Sequence, residues 1–358
     1  MRSKKSFKIL YFIIPLSFVL GLAWGINFKK NQLNTQIIKP SKPKITIAAP
    51  KGLINDSLLK QFTQETGIVV DMIANVGDAD YSQAVIKHQK HLDTALVPRH
   101  MITTLEKLKL TKPHQYKNLR DKISADFLNL NYDPKNKKYI PFAWNFYEVA
   151  YDPKSISKDQ LTLQHIIDNK ISKKLVDFNF IETYFILKKT ELISDEWIKT
   201  QREDLIEAAL NRLLKSADFK NMPASEDSSK SYNWIYTSHV KAQKTLELNP
   251  EWKSEIAEEK SNINILLWAT FKRNQNINQF LDFVKTNHES IIEPSEYASV
   301  FKNSKLPEYQ QSKYIRSRSL LKLEMVDAPH IMEGIWSQSY KKVMPINTQT
   351  NASNVANY

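Results

Sequence analysis

"YIPFAWNFYEVAYDP", residues 139–153, is apolar and aromatic almost throughout, holds a proline near each end and carries almost no turn former. It reads as two strand-like halves around Trp144, Asn145 and Phe146, ended by Pro153. An extended segment this apolar has to be covered on both faces. A second such run, "INILLWATF" at 263–271, stands more than a hundred residues later. Two long apolar strands enclosing an insertion are what a two-lobed chain needs where it passes from one lobe to the other and back. Both lobes pack on the strands, and the strands span the gap. An ordinary pair of buried strands in one core is the plainer alternative.

Upstream, "KITIAAP" (44–50) alternates into a strand, and "NDSLLKQFTQETG" (55–67) follows as a helix capped by Asn55 or Asp56 and stopped by Gly67. Residues 68–76 read as a strand, 79–89 as a helix, 92–98 as a strand and 100–110 as a helix. This alternation implies a mostly parallel sheet covered by helices. Ligands in such sheets sit at the carboxyl ends of the strands, here 48–51, 75–78 and 97–100. Between the two apolar runs the spacing predicts helices over 161–168, 180–190 and 195–215, and short strands over 175–180 and 233–238. A further helix is predicted over 277–287.

A chain of 358 residues is too long for one ordinary core. With no cysteine it has neither disulfides nor thiolate chemistry. The net charge of +13 is uneven: eight of the 51 basic residues lie in 1–43, which has no acid, and the other 43 face 38 acids. A folded part with so small a surplus, and no nucleic-acid-binding motif, does not point to nucleic acid. Six glycines leave no clustered set for a phosphate-cradling loop.

Four positive charges precede an uncharged run from Ile9 to Ile26. Its 18 residues suit either a cleaved signal peptide or a short membrane anchor that leaves the remainder on the outer face. Residues 29–43, with Pro40 and Pro43, read as a linker, and 345–358 as a disordered polar tail.

In sequence order, "KITIAAP…LLKQFTQETGIVVDMI", "TALVP", "YIPFAWNFYEVAYDP", "IYTSHVKAQ" and "INQFLDFV" resemble the bacterial spermidine/putrescine-binding proteins. The resemblance spans about 44 to 343, with "IWSQSYKKV" (335–343) similar to that family's C-terminal helix. It implies the two-lobed α/β fold of type II periplasmic binding proteins, with two hinge-crossing strands, here preceded by an N-terminal hydrophobic helix. With the N-terminal reading of 1–28 as signal or anchor and 29–43 as linker, it gives 44–144 with 268–300 as the first lobe, 145–267 as the second and 301–344 as C-terminal helices, ahead of the polar tail 345–358. It further implies a small-molecule ligand and the membrane subunits of an ABC importer as partners; the N-terminal run leads to a periplasmic or membrane-tethered location, and no cofactor or enzymatic activity is expected.

By that resemblance Glu182 matches a carboxylate that contacts the amine, and Tyr236 matches a cleft aromatic. Asn179 stands where the family has an Asp, and Trp144 lies on the first crossing strand. Pro50, Lys51 and Gly52 replace an expected aromatic–acidic pair, Arg99 replaces a small hydroxyl residue, and an apolar residue near Leu267 replaces an Asp. Carboxylates are lost and cations gained. Two like charges at about 4 Å cost roughly 4 kcal/mol at an effective dielectric near 20, before solvent screening. Polyamine is therefore disfavoured, and an anionic or zwitterionic ligand held by Lys51 and Arg99 is expected. The plainer readings are a solvated pair for Lys51 and Arg99, a helix-start carboxylate for Glu182, and core or hinge packing for Tyr236 and Trp144. A ligand-free descendant of the fold, serving as a tethered interaction module, is the alternative function.

Catalytic readings find no constellation. His88 and His91 have the spacing of a metal pair but no evident third ligand. His288-Glu289 lacks the second histidine of a zincin, and no G-x-S-x-G exists.

Overall fold

The computed structural model describes residues 42–73, 78–116, 119–167, 174–176, 180–216, 218–219, 232–257, 261–317, 323–324, 332, 334–336 and 338. Residues 44–358 form one compact unit, distinct from 1–43. The expected hydrophobic helix of 1–28, nearly all of the linker and the tail beyond 345 lie outside the described residues. Among the described residues no helix is long and apolar enough to cross a membrane.

Strand β1 (Lys44–Ala48) leads to helix α1 (Asp56–Thr66). Asn55 caps that helix by accepting the Leu58 N–H at 2.8 Å, and Gly67 ends it in the left-handed conformation at φ 72°. Leu58, Leu59 and Phe62 are buried against the sheet. Strand β2 (Val69–Met72), helix α2 (Asp78–His88), strand β3 (Thr94–Pro98) and, after a 3-10 turn at Arg99–Met101, helix α3 (Ile102–Lys107) complete the first layer. β1 pairs in parallel with β2 on one side and β3 on the other.

The run quoted above is β4 (Tyr139–Tyr151), with all 13 residues buried. Downstream come β5 (Lys174–Val176), α4 (Phe180–Lys189), α5 (Glu203–Ser216), β6 (Asp218–Phe219), β7 (Trp234–Ser238), α6 (His239–Leu248), β8 (Lys253–Glu255), β9 (Ser261–Thr270), α7 (Asn276–Thr286), β10 (Ala298–Ser299) and β11 (Leu323–Glu324). The strand order is β2-β1-β3-β9-β4-β7-β5-β6. β9 runs antiparallel between β3 and β4, and β4 is antiparallel to β7 as well. β4 changes neighbours along its length. Tyr139–Phe146 pair with β9, whereas Tyr147–Tyr151 pair with β7. Pro141, which has no N–H to give, sits where the β4–β9 register shifts between Pro141 and Ala143.

Two large apolar clusters divide at the same point. One runs from Ile45 to Phe146 and resumes from Ile263 to Ile315, with Ile256 joining it. The other holds Tyr147–Leu213, Trp234, Tyr236, Ala257 and Met332–Trp336. β4 thus passes from one core to the other between Phe146 and Tyr147, and the chain returns ahead of β9. Ile263, Ile265, Leu266 and Leu267, expected in the second lobe, pack in the first core, where β9 pairs with β4 throughout and with β3 from Leu266 on.

Local differences have local causes. The helix expected over 195–215 is broken into Asp195–Lys199 and α5, with Gln201 at φ 54° between them. The strand expected to begin at 263 begins at Ser261, where Ser261 and Asn262 are buried despite their polarity.

Candidate functional site

A cavity of about 40 Å³ opens where the two cores meet. Pro50, just past β1, and Pro98 and His100, at the end of β3, bring the carboxyl ends of two parallel strands to it. Tyr81 and Ser82 of α2 and Tyr297, before β10, complete the first-core side. Phe180 and Ile181, the first residues of α4, close it from the second-core side. Asn264 and Leu266 of β9 form its floor. The His100 and Phe180 rings meet edge-on across it, centroids 5.5 Å apart at 76°, an arrangement favoured by ring quadrupoles. Tyr81 is held in place by its hydroxyl, which donates to the Leu96 carbonyl at 2.8 Å.

Behind this wall Glu182, in the first turn of α4, is fully buried. The Tyr236 hydroxyl donates to its Oε1, and the Asn262 side chain also hydrogen-bonds it. Burial pushes its carboxyl up to about 8, and the two hydrogen bonds pull in the other direction without cancelling that effect. At neutral pH this group is predominantly protonated and presents no full charge.

The opposite face of the crossing strands carries an aromatic stack. Phe146 lies parallel to His239 at 4.5 Å, and Trp144 stacks on both. The Phe146 N–H donates to His239 Nδ1 at 3.3 Å, so Nε2 carries the proton and donates to the Tyr309 carbonyl at 3.0 Å. Trp144 itself donates its indole N–H to the Ser299 carbonyl at 3.2 Å. Nearby, Lys241 of α6 forms a 3.3 Å ion pair with Glu296, and the two side chains are only 10% and 24% exposed.

Of the residues singled out from sequence, Glu182 and Tyr236 are brought into direct contact. Trp144 packs in the stack just described. Lys51 is exposed in the turn after β1 and does not line the cavity. Arg99 is buried and also absent from the lining; its charge acts on the Tyr132 phenol. β1 and β3 end within the expected ranges, and neither the Lys51 nor the Arg99 side chain borders the cavity. Asn179 lies outside the described residues. Sequence reasoning passed over Asn145, Asn262 and Asn264, whose signal is an amide recurring inside otherwise apolar strands.

No family model matches the chain, and no curated protein matches it either. Solved structures share its fold. The spermidine/putrescine ABC transporter substrate-binding protein PotD of Streptococcus pneumoniae matches at 21% identity and a TM-score of 0.59, covering 84% of this chain and 98% of that one. The TpPotD lipoprotein of Treponema pallidum matches at 13% identity and 0.59, covering 84% and 99%. Iron-bound HitA of Pseudomonas aeruginosa matches at 12% identity and 0.53, covering 85% and 99%. The likeness establishes a shared mixed α/β fold.

Proposed function

We propose that this chain is an extracytoplasmic solute-binding protein that closes two lobes over a small ligand and presents it to the membrane subunits of an ABC-type importer. One observation carries the reading: a cavity at the carboxyl ends of parallel strands, floored by β9 and bordered by residues of both apolar cores. That is where an open α/β sheet offers backbone ends and loops to a ligand. The substrate-binding proteins that share the fold support the same role. Few residues need to change conformation for closure if the hinge lies where β4 changes partners.

In this reading Phe180, Ile181 and the Glu182–Tyr236 pair form the wall contributed by the second lobe. Lys51 and Arg99 do not border the cavity, so the reason for expecting an anion falls away. Carriage to the outer face rests on the basic-then-apolar N-terminal sequence. A second reading, a ligand-free interaction module, is favoured by the cavity's size, which accommodates only a few waters as it stands.

A thermal-shift screen with the intact protein separates the two, because a ligand that binds only the folded state raises Tm in proportion to its occupancy. Stabilisation by at least one small-molecule class, with a matching contraction in X-ray scattering, supports solute binding. No shift with any class at millimolar concentration supports the interaction module.

A further inference from the structure

Beneath the cavity runs an amide ladder of which only Asn264 reaches the lining; Asn145 lies behind it. Asn264 on β9 lines the cavity directly, and its partner directly opposite on β4 is Asn145. Residues opposed in an antiparallel pair project to the same face of a sheet. Alternation then puts Asn145 and Asn264 on the cavity face and Trp144 and Phe146 on the face of the His239 stack. Leu266, another lining residue, opposes Ala143 on the same face. Asn262, two residues before Asn264, also shares this face, and its side chain reaches Glu182.

Asn145 is fully buried, and its Nδ2 makes a long contact, 3.5 Å, to the Glu296 carbonyl. Its Oδ1 is buried with no partner among the described residues. An orphaned acceptor in a core is costly and uncommon, and a leucine of similar volume would avoid that cost. Among the described residues no Lys, Arg, Asp or Glu lines the cavity. Its polar lining residues are Ser82, His100, Asn264 and two tyrosines, Tyr81 and Tyr297, set among Phe180, Leu266 and two prolines.

We infer that the ligand of this cleft is a small uncharged molecule with an adjacent hydrogen-bond donor and acceptor, such as a carboxamide, a nucleobase or a polyol, and that Asn145 and Asn264 select it. The inference rests on the solute-binding reading and narrows its ligand class. A donor on the ligand satisfies Asn145 Oδ1 once the lobes part enough to admit it. The Asn264 amide offers the complementary pair, and the His100–Phe180 edge covers an apolar or ring face. A charged group would enter a site whose described walls offer it no counter-ion.

The test compares intact wild-type protein with Asn145→Leu and Asn264→Ala. Calorimetric titration uses uridine, N-acetylglucosamine and myo-inositol as neutral probes, and spermidine, citrate and glutamate as charged ones. The expected result is binding of at least one neutral probe. Kd should rise tenfold or more in either variant, while Asn145→Leu keeps or raises the melting temperature. A charged probe that binds more tightly than every neutral one, with affinity lost in Asn264→Ala, overturns the inference and leaves solute binding intact. A lowered melting temperature in Asn145→Leu also overturns it, because Asn145 would then be a structural residue. Binding of no probe overturns both readings.

Discussion

Replacing Glu182 by Gln probes the buried wall between the cores most cleanly, because the change removes a titration and keeps the shape. The carboxyl is pushed from its ordinary 4.5 up to about 8. At about 1.4 kcal/mol for each tenfold change in proton concentration, that is a difference of about 5 kcal/mol between folded and unfolded affinities for the proton. The folded state holds the proton more tightly, so its contribution is complete below about pH 4.5 and is lost as pH rises toward 8. A glutamine side chain at this position would still accept the Tyr236 hydroxyl and has no charge to bury. Wild type and Glu182→Gln should therefore be nearly equal in stability at pH 5, with the variant ahead by up to about 5 kcal/mol at pH 9. For a body of this size that is a gap of about 7 °C in melting temperature, reduced by any water that enters on ionisation. Scanning calorimetry of both proteins across pH 5–9 reads it directly. Parallel melting curves across that range, or a variant less stable at every pH, would refute the picture of a desolvated, proton-bearing Glu182.

Other perturbations test the frame around the site. Glu296→Gln leaves Lys241 largely buried without its counter-ion and should cost about 2 kcal/mol in urea unfolding; Lys241→Met should cost less, since it removes the charge that needs the partner. Asn55→Ala removes the N-cap of α1 and should cost about 1 kcal/mol by the same assay. Gly67→Ala places a Cβ at φ 72° and should lower stability by about 1–2 kcal/mol, with no steric clash to add to it. Loss in Gly67→Ala of much more than that would mean the helix end carries packing that the structure does not show.

The long buried strands were legible because a strand covered on both faces has to be mostly apolar, and β4 departs from that only at Asn145 and Glu148. The start of β9 was harder to read: Ser261 and Asn262 look like a loop until Glu182 and the Tyr147 backbone are seen to satisfy them. The same masking hid the amide ladder, since an Asn in a strand reads as an interruption and its register partner is a hundred residues away. Glu182 and Tyr236 were reached only through family resemblance, and the structure supplies their contact. For Lys51 and Arg99, strand ends could be placed by periodicity, but the direction of a side chain in a tight turn depends on dihedrals that spacing does not encode. Gln201 breaks a helix with neither Gly nor Pro to announce it.

The proposed hinge at β4 predicts relative motion of the two cores, which electron–electron distance spectroscopy measures most directly. With no native cysteine, spin labels at Lys60→Cys on α1 and Lys199→Cys beyond α4 report only the separation sought; both positions are exposed. Breaking the His100–Phe180 contact with Phe180→Asp should shift this distribution to longer distances, while circular dichroism stays that of a folded protein. An unchanged, single narrow distance in the folded variant would contradict a hinged pair of lobes and leave one rigid body in its place.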